Sequence, residues 1–257
     1  MADEFILETR GLTKEFAGFY AVRDVDLRVR RGSIHALIGP NGAGKTTCFN
    51  LLTKFLKPSA GQILYKGQDI TALAPADVAR LGLVRSFQIS AVFPHLTVLE
   101  NVRIGLQRFT GTSFHFWKGL TGLKSLDAKV LALLELVDLR DMAQIKAGDL
   151  PYGRKRALEI ATTMAMEPTL MLLDEPTQGM GHEDVERVTT LIKRVAEGRT
   201  VLMVEHNMKV VSRIADQITV LARGAVLAEG DYATVSKHPA VLEAYMGSKA
   251  AELQGAH

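Results

Sequence analysis

The sequence predicts an α/β fold, on three observations. Residues 34–38 form a mostly apolar run that reads as a buried strand, and a glycine-rich loop carries it into a helical stretch at 46–55. A second apolar run, Leu170-Met171-Leu172-Leu173, reads as a buried parallel strand with Asp174 and Glu175 at its end. Between these lies a different pattern near the N-terminus. Val22, Val25, Leu27 and Val29 fall on one side and Asp26, Arg28 and Arg30 on the other, which is the alternation of a half-exposed antiparallel sheet.

The loop after the first strand is Gly39-Pro40-Asn41-Gly42-Ala43-Gly44-Lys45-Thr46-Thr47, with the spacing glycine, four residues, then Gly-Lys-Thr. Glycines let successive N–H groups turn inward into an anion cradle, and the helix N-terminus adds its partial positive charge. In that pattern Lys45 reaches the β- and γ-phosphates of a nucleotide and the Thr46 hydroxyl binds Mg²⁺. The plainer reading is a glycine-rich turn in a protein that binds no nucleotide. Strand before and helix after argue against it.

The totals narrow the class. The chain has 257 residues, 47% hydrophobic and 23% charged, as expected of a globular protein with a real core. A net charge of +3 is too weak to argue for nucleic acid. No apolar run approaches the roughly 18 residues of a membrane span. The acidic start, Met1-Ala2-Asp3-Glu4-Phe5, lacks a basic then apolar signal pattern. The lone Cys48 excludes an internal disulfide, fits a reducing cytosol and reads as a small buried core residue.

Taken in order, Phe5-Ile6-Leu7 reads as a short strand. The stretch 15–20 holds Phe16, Phe19 and Tyr20, and an aromatic here either stacks on a base or fills core. Residues 62–65 read as a strand, 75–80 as a helix, and 83–88 as a strand ending in Gln88. Thr97-Val98-Leu99-Glu100 matches a capping box, so a helix should start at Thr97. Residues 105–126 hold four glycines with Phe109, Phe114, Phe116 and Trp117, and read as a glycine-rich loop or broken helical insertion. Its aromatics either form a partner surface or bury one another. Helices should follow at 127–137 and 154–166, the second entered through Leu150-Pro151-Tyr152-Gly153. A helix at 183–196 leads to a strand at 201–204 that ends in Glu205-His206. A hairpin around Arg223-Gly224, a helix at 239–245 and a frayed tail after Gly247 complete the chain.

Transfer of a nucleotide's terminal phosphoryl group needs a phosphate cradle, Mg²⁺, a positioned water and a contact to the γ-phosphate. Asp174 is the expected partner of Thr46 in holding Mg²⁺, directly or through water, and Glu175 is placed to polarise the attacking water. Neighbours on a strand point to opposite sides, so the two acids differ in role only if the strand ends there, which Pro176 suggests. His206 closes an apolar strand and is either structural or a γ-phosphate contact. Gln88 is a candidate Mg²⁺ or water ligand.

Together these pieces stand in one order: GPNGAGKTT, SFQ with Gln88, LPYGRKRALEIA, LMLLDEPT, and VEH with His206. In that order the chain resembles the ATP-binding subunits of ABC transporters, from about residue 5 to 247. The resemblance implies a phosphate-loop ATPase core with an antiparallel β subdomain (about 5–89 and 157–249) and a helical subdomain (about 90–156), and leaves 250–257 as a tail. It implies that Phe16 stacks on adenine, Gln88 is the loop glutamine, Glu175 the catalytic carboxylate and His206 the switch histidine. ATP and Mg²⁺ are the implied cofactors.

Two departures stand out. The usual LSGGQ signature is here Leu150-Pro151-Tyr152-Gly153-Arg154. Pro151 has neither hydroxyl nor N–H, so Gly153 and the helix N-terminus after it must carry the contact to the other subunit's phosphate. The segment Gln178-Gly179-Met180-Gly181-His182 has Gly181 where the family has Asp or Asn. The altered signature, the 105–126 insertion and the ending with Tyr245-Met246-Gly247 resemble the branched-chain amino acid importers, specifically their larger ATPase subunit of the LivG type. The lipopolysaccharide-export ATPase is the nearest rival, and a soluble non-transport ABC ATPase the alternative of another class. The resemblance further implies two cassettes closing head to tail, permease subunits, a second ATPase subunit and a periplasmic solute-binding protein. It places the chain at the cytoplasmic face of the inner membrane as a peripheral subunit, with no nucleic acid.

Overall fold

The structure is a computed structural model that describes residues 4–86, 92–107 and 126–254, from 247 on by backbone alone. Gln88 and the aromatics at 109–117 lie outside the described residues.

A six-stranded sheet carries the core. Its order is β11 (Ala225–Gly230), β10 (Gln217–Ala222), β4 (Ile34–Ile38), β9 (Thr200–Val204), β8 (Leu170–Asp174) and β7 (Leu83–Ser86). All neighbouring pairs are parallel except β10 with β11. Strands β4, β8 and β9 are buried along their whole length, which is why they read as continuous apolar runs rather than alternating ones. Their side chains still divide by face. Ile34, Ala36, Ile38, Met171 and Leu173 enter one apolar cluster, while Leu37, Leu170, Leu172 and Leu202 enter the other.

The second cluster lies between this sheet and an antiparallel one. That sheet has β1 (Phe5–Phe16) paired with β2 (Phe19–Val25), β3 (Arg28–Arg30) and β5 (Ala60–Tyr65), with the two-residue β6 (Gln68–Asp69) at its edge. Val22, Val25, Leu27 and Val29 are all fully buried, as their alternation predicts. Helix α1 (Lys45–Leu52) packs Cys48, Phe49, Leu51 and Leu52 into the same cluster. Beyond the β-sheets come α2 (Pro75–Arg80), α3 (Val98–Gln107), α4 (Asp127–Leu136), α5 (Tyr152–Met164), α6 (His182–Ala196), α7 (Met208–Ile214), α8 (Tyr232–Val235) and α9 (Pro239–Gln254). The capping box is formed in both directions: Glu100 N–H donates to Thr97 Oγ1 (3.2 Å) and Thr97 N–H to Glu100 Oε2 (2.8 Å).

Several boundaries differ from expectation. Helix α1 stops at Leu52 rather than running to Phe55, and α5 stops at Met164 rather than Met166. Strand β1 continues to Phe16, well past Leu7, because bulges shift its register between Arg10 and Thr13 and break the period-2 signal. Helix α5 starts at Tyr152 rather than Arg154, with Pro151 as its N-cap residue and φ already at −57°. Helix α9 runs on to Gln254 rather than fraying after Gly247. One internal glycine costs only about 1 kcal/mol, and Lys249, Ala250, Ala251, Glu252 and Leu253 are strong helix formers.

Candidate functional site

The site lies at the C-terminal ends of β4, β8 and β9, where open α/β sheets bind ligands. The chain leaves β4 at Gly39, whose φ of +152° only glycine adopts easily; a Cβ there would sit 2.2 Å from the Leu221 carbonyl. The loop re-enters helix at Gly44, the N-cap residue of α1, with φ +98° and no side-chain cap on the helix N-terminus. A Cβ at Gly44 would lie 2.4 Å from the Ala21 carbonyl, so the loop is pressed against β2. No side chain caps the N–H groups at the start of α1, so they are left for an anion to accept.

Above the loop is a cavity of about 360 Å³ lined by Asn41, Gly42, Ala43, Gly44, Lys45, Thr46 and Thr47, with Phe19, Ala21 and Glu175 on its walls. Pro40 lies on the other side, in a groove of about 560 Å³ between the loop and α9. There the Tyr245 hydroxyl, its pKa pushed up to about 12 by burial, meets the Gly39 backbone. Lys45 is folded over the loop, its Nζ donating to the carbonyls of Gly39 (2.7 Å) and Pro40 (3.0 Å). Desolvation lowers the pKa of this ammonium, and the nearby carboxylates of Glu175 and Asp174 pull it back up.

The two acids part company as the strand ends. Asp174 is the last residue of β8 and is buried, its Oδ2 accepting from Arg85. Glu175 takes a left-handed backbone conformation, φ +43°, and its N–H donates to the Val204 carbonyl at 3.0 Å. That turn, costly for a residue with a Cβ, swings its carboxylate to the cavity wall. His206, half exposed at the end of the adjacent strand, has Nδ1 3.9 Å from Glu175 Oε2. Among the described residues no cluster of three or more His, Cys, Asp and Glu is built to hold a metal alone. A hydroxyl (Thr46) and a carboxylate (Asp174) fit Mg²⁺, which binds through one or two carboxylates plus substrate phosphates and waters.

Phe16 and Phe19 are direct cross-strand partners on either side of the Ala17-Gly18 turn, so they share a face of the hairpin. Phe19 is the one that lines the cavity; Phe16 is 45% exposed with the Lys14 ammonium 5.0 Å from its ring centroid. Gly153 stands in the first turn of α5, buried against the Asp184 carboxylate of α6, where a Cβ would come within 2.5 Å.

Three polar residues here have no reading in the sequence analysis. Arg85, on β7, binds Asp174 and donates to Asn50 Oδ1 at 2.6 Å. Arg156, in α5, donates to the carbonyls of Asp174 (2.8 Å) and Pro176 (3.2 Å). Glu205, fully buried, accepts from Thr177 and from the N–H groups of His206 and Asn207. For Arg85 and Glu205 the signal was available: each is a charged residue in or directly after an apolar stretch, and burial of such a charge demands partners. Arg156 stands in the basic run Arg154-Lys155-Arg156, where nothing local singles it out.

The chain as a whole is similar to known proteins. The chain matches the ABC transporter family over residues 22–178. It matches the branched-chain amino acid ATP-binding cassette transporter family over 225–251, the span that includes β11 and the described side of the α9 groove. It is 39% identical over 254 residues to the high-affinity branched-chain amino acid transport ATP-binding protein BraF of Pseudomonas aeruginosa, covering 94% of this chain and 98% of that one. An ATP-binding cassette of an ABC transporter in its ADP conformation superposes with a TM-score of 0.83 at 30% identity, over 95% of this chain and 99% of that one. A dimeric cassette in a post-hydrolysis state with ADP and Pi gives 0.73 at 26% identity, over 88% and 98%. With a likeness that runs almost the whole length of both chains, the chain belongs to the ATP-binding cassettes of the ABC transporter family, in its branched-chain amino acid transport branch.

Proposed function

We propose that this chain hydrolyses Mg·ATP between two cassettes and so energises an importer for branched-chain or other apolar amino acids. The observation that carries the catalytic part is Glu175 on its left-handed turn, at the wall of the phosphate-loop cavity and 3.9 Å from His206. In this reading Lys45 leaves the Gly39 and Pro40 carbonyls for the β- and γ-phosphates of ATP. The backbone of residues 39–47 cradles those phosphates. Thr46, Asp174 and Gln88 would hold Mg²⁺, which when bound would supply positive charge against the phosphate oxygens. Glu175 accepts the proton of the attacking water, and His206 contacts the γ-phosphate. Phe16 stacks on adenine. Gly153 of a second subunit faces the γ-phosphate with the N-terminus of its helix.

The partner subunits follow from the same branch: permease subunits, a second cassette and, through the permease, a periplasmic solute-binding protein. No described helix is long and apolar enough to cross a membrane. In this reading the chain sits at the cytoplasmic face of the inner membrane, held there by those partners. Residues 5–249 act as one cassette, with 90–156 as its helical part.

Two measurements test this. The purified chain should hydrolyse ATP in a Mg²⁺-dependent manner. Affinity capture from detergent-solubilised membranes should recover identified permease subunits and a second cassette. Recovery with an exporter's permease would favour the lipopolysaccharide-type alternative, and recovery with ribosomes or DNA and no permease would overturn the transport reading.

A further inference from the structure

The buried acid beside the switch position has a geometry that serves the site rather than the fold alone. Glu205 is wholly inaccessible, and its two oxygens serve two different loops. Oε1 accepts from the Thr177 N–H (3.2 Å) and from the Thr177 hydroxyl, in the loop just after Glu175. Oε2 accepts from the N–H groups of His206 (2.8 Å) and Asn207 (2.9 Å), immediately before α7. All four partners are neutral donors. On its far side the same loop is fixed by Arg156 of α5, which donates to the Pro176 carbonyl (3.2 Å) while pairing with Glu159 at 2.6 Å.

We infer that Glu205 is a positioning residue for the reaction: its carboxylate ties the loop carrying Glu175 to the loop carrying His206 and sets their separation. The inference rests on the ATPase reading above. Its chemistry demands a carboxylate and not merely a polar group. With donors on both sides, each oxygen must accept. A glutamine keeps size and shape but places an NH₂ against donors on one side and so releases one loop. Thr177 is the matching half, its hydroxyl being the donor that a valine of the same shape lacks.

The test uses the full chain and begins with wild-type ATP hydrolysis, whose absence would sink the ATPase reading and this inference with it, whereas a failure of the inference alone leaves wild-type hydrolysis intact. Glu205→Gln and the milder Thr177→Val are each compared with wild type for kcat, KM and the Kd of a fluorescent ATP analogue. Both should keep Kd within about threefold and lose kcat by about ten- to a hundredfold, the cost of misplacing a reacting group by roughly 1 Å. Thr177→Ser, which restores the hydroxyl, should recover turnover. The imidazole resonances of His206 should shift in both impaired variants, a change a distant structural defect would not make. Unchanged kcat in folded Glu205→Gln and Thr177→Val would overturn the inference. So would a parallel fall of kcat and nucleotide binding with the folded fraction, because that is the mark of a purely structural residue.

Discussion

Removing the guanidinium of Arg85 probes how the acid at the end of β8 is held. Arg85 and Asp174 side chains are only 10% and 2% exposed, so the pair is out of water. The guanidinium also donates to Asn50 Oδ1 at 2.6 Å and lies 5.8 and 6.0 Å from the ring centroids of Phe49 and Phe55. Taking one partner from a buried pair costs about 3–5 kcal/mol, because the remaining charge stays buried without compensation. For a chain of this size each kcal/mol moves Tm by about 2–4 °C, so Arg85→Ala should lower Tm by about 6–20 °C. The mechanism predicts a rescue. In the double variant Arg85→Met with Asp174→Asn the pair carries no charge, and most of the stability should return. Thermal and urea unfolding of wild type, Arg85→Met, Asp174→Asn and the double variant should give a coupling of about 2–3 kcal/mol between the two sites. A shift below about 2 °C for Arg85→Ala, or additive losses in the double variant, would refute the reasoning.

Other predictions concern the loop and the buried titratable groups. Gly44→Ala drives a Cβ to 2.4 Å from the Ala21 carbonyl at φ +98°, so ATP binding should fall by at least about tenfold, read by nucleotide titration. His35 is fully buried beside Thr219, and desolvation lowers its pKa from 6.5 to about 4. The unfolded chain therefore binds the extra proton first. Stability should fall as pH drops from about 6.5 to 4, by about 3 kcal/mol, and His35→Val should flatten that part of the pH profile measured by urea unfolding. Burial pushes the Cys48 thiol up to about 12, so thiol reagents should leave the native protein unmodified and react only after unfolding.

What the sequence disclosed, and what it hid, follows from the range of the interactions. The loop at residues 39–47, the buried strands β4, β8 and β9 and the capping box at Thr97 are local patterns, and each stands where the pattern puts it. The strand's end at Asp174 was readable from Pro176, but the left-handed turn of Glu175 was not, since nothing in a glutamate announces φ > 0. Strand β1 was under-read because bulges near Gly11 scramble its alternation. The pairing of Arg85 with Asp174, 89 residues apart, and of Thr177 with Glu205, 28 apart, is set by strand order in the sheet, which a single sequence does not spell out. The cross-strand geometry that brings Phe19 rather than Phe16 to the cavity wall depends in the same way on a hairpin register fixed by the Ala17-Gly18 turn.

The most direct test of the account is the hydrolytic behaviour of Glu175→Gln, measured beside its ATP affinity and oligomeric state. Replacing the carboxylate by its amide keeps the size of the group at the cavity wall and removes its ability to take a proton from water. The account predicts unimpaired ATP binding, a stable ATP-bound dimer and turnover reduced by at least about a hundredfold. Wild-type turnover in a folded, ATP-binding Glu175→Gln protein would contradict it.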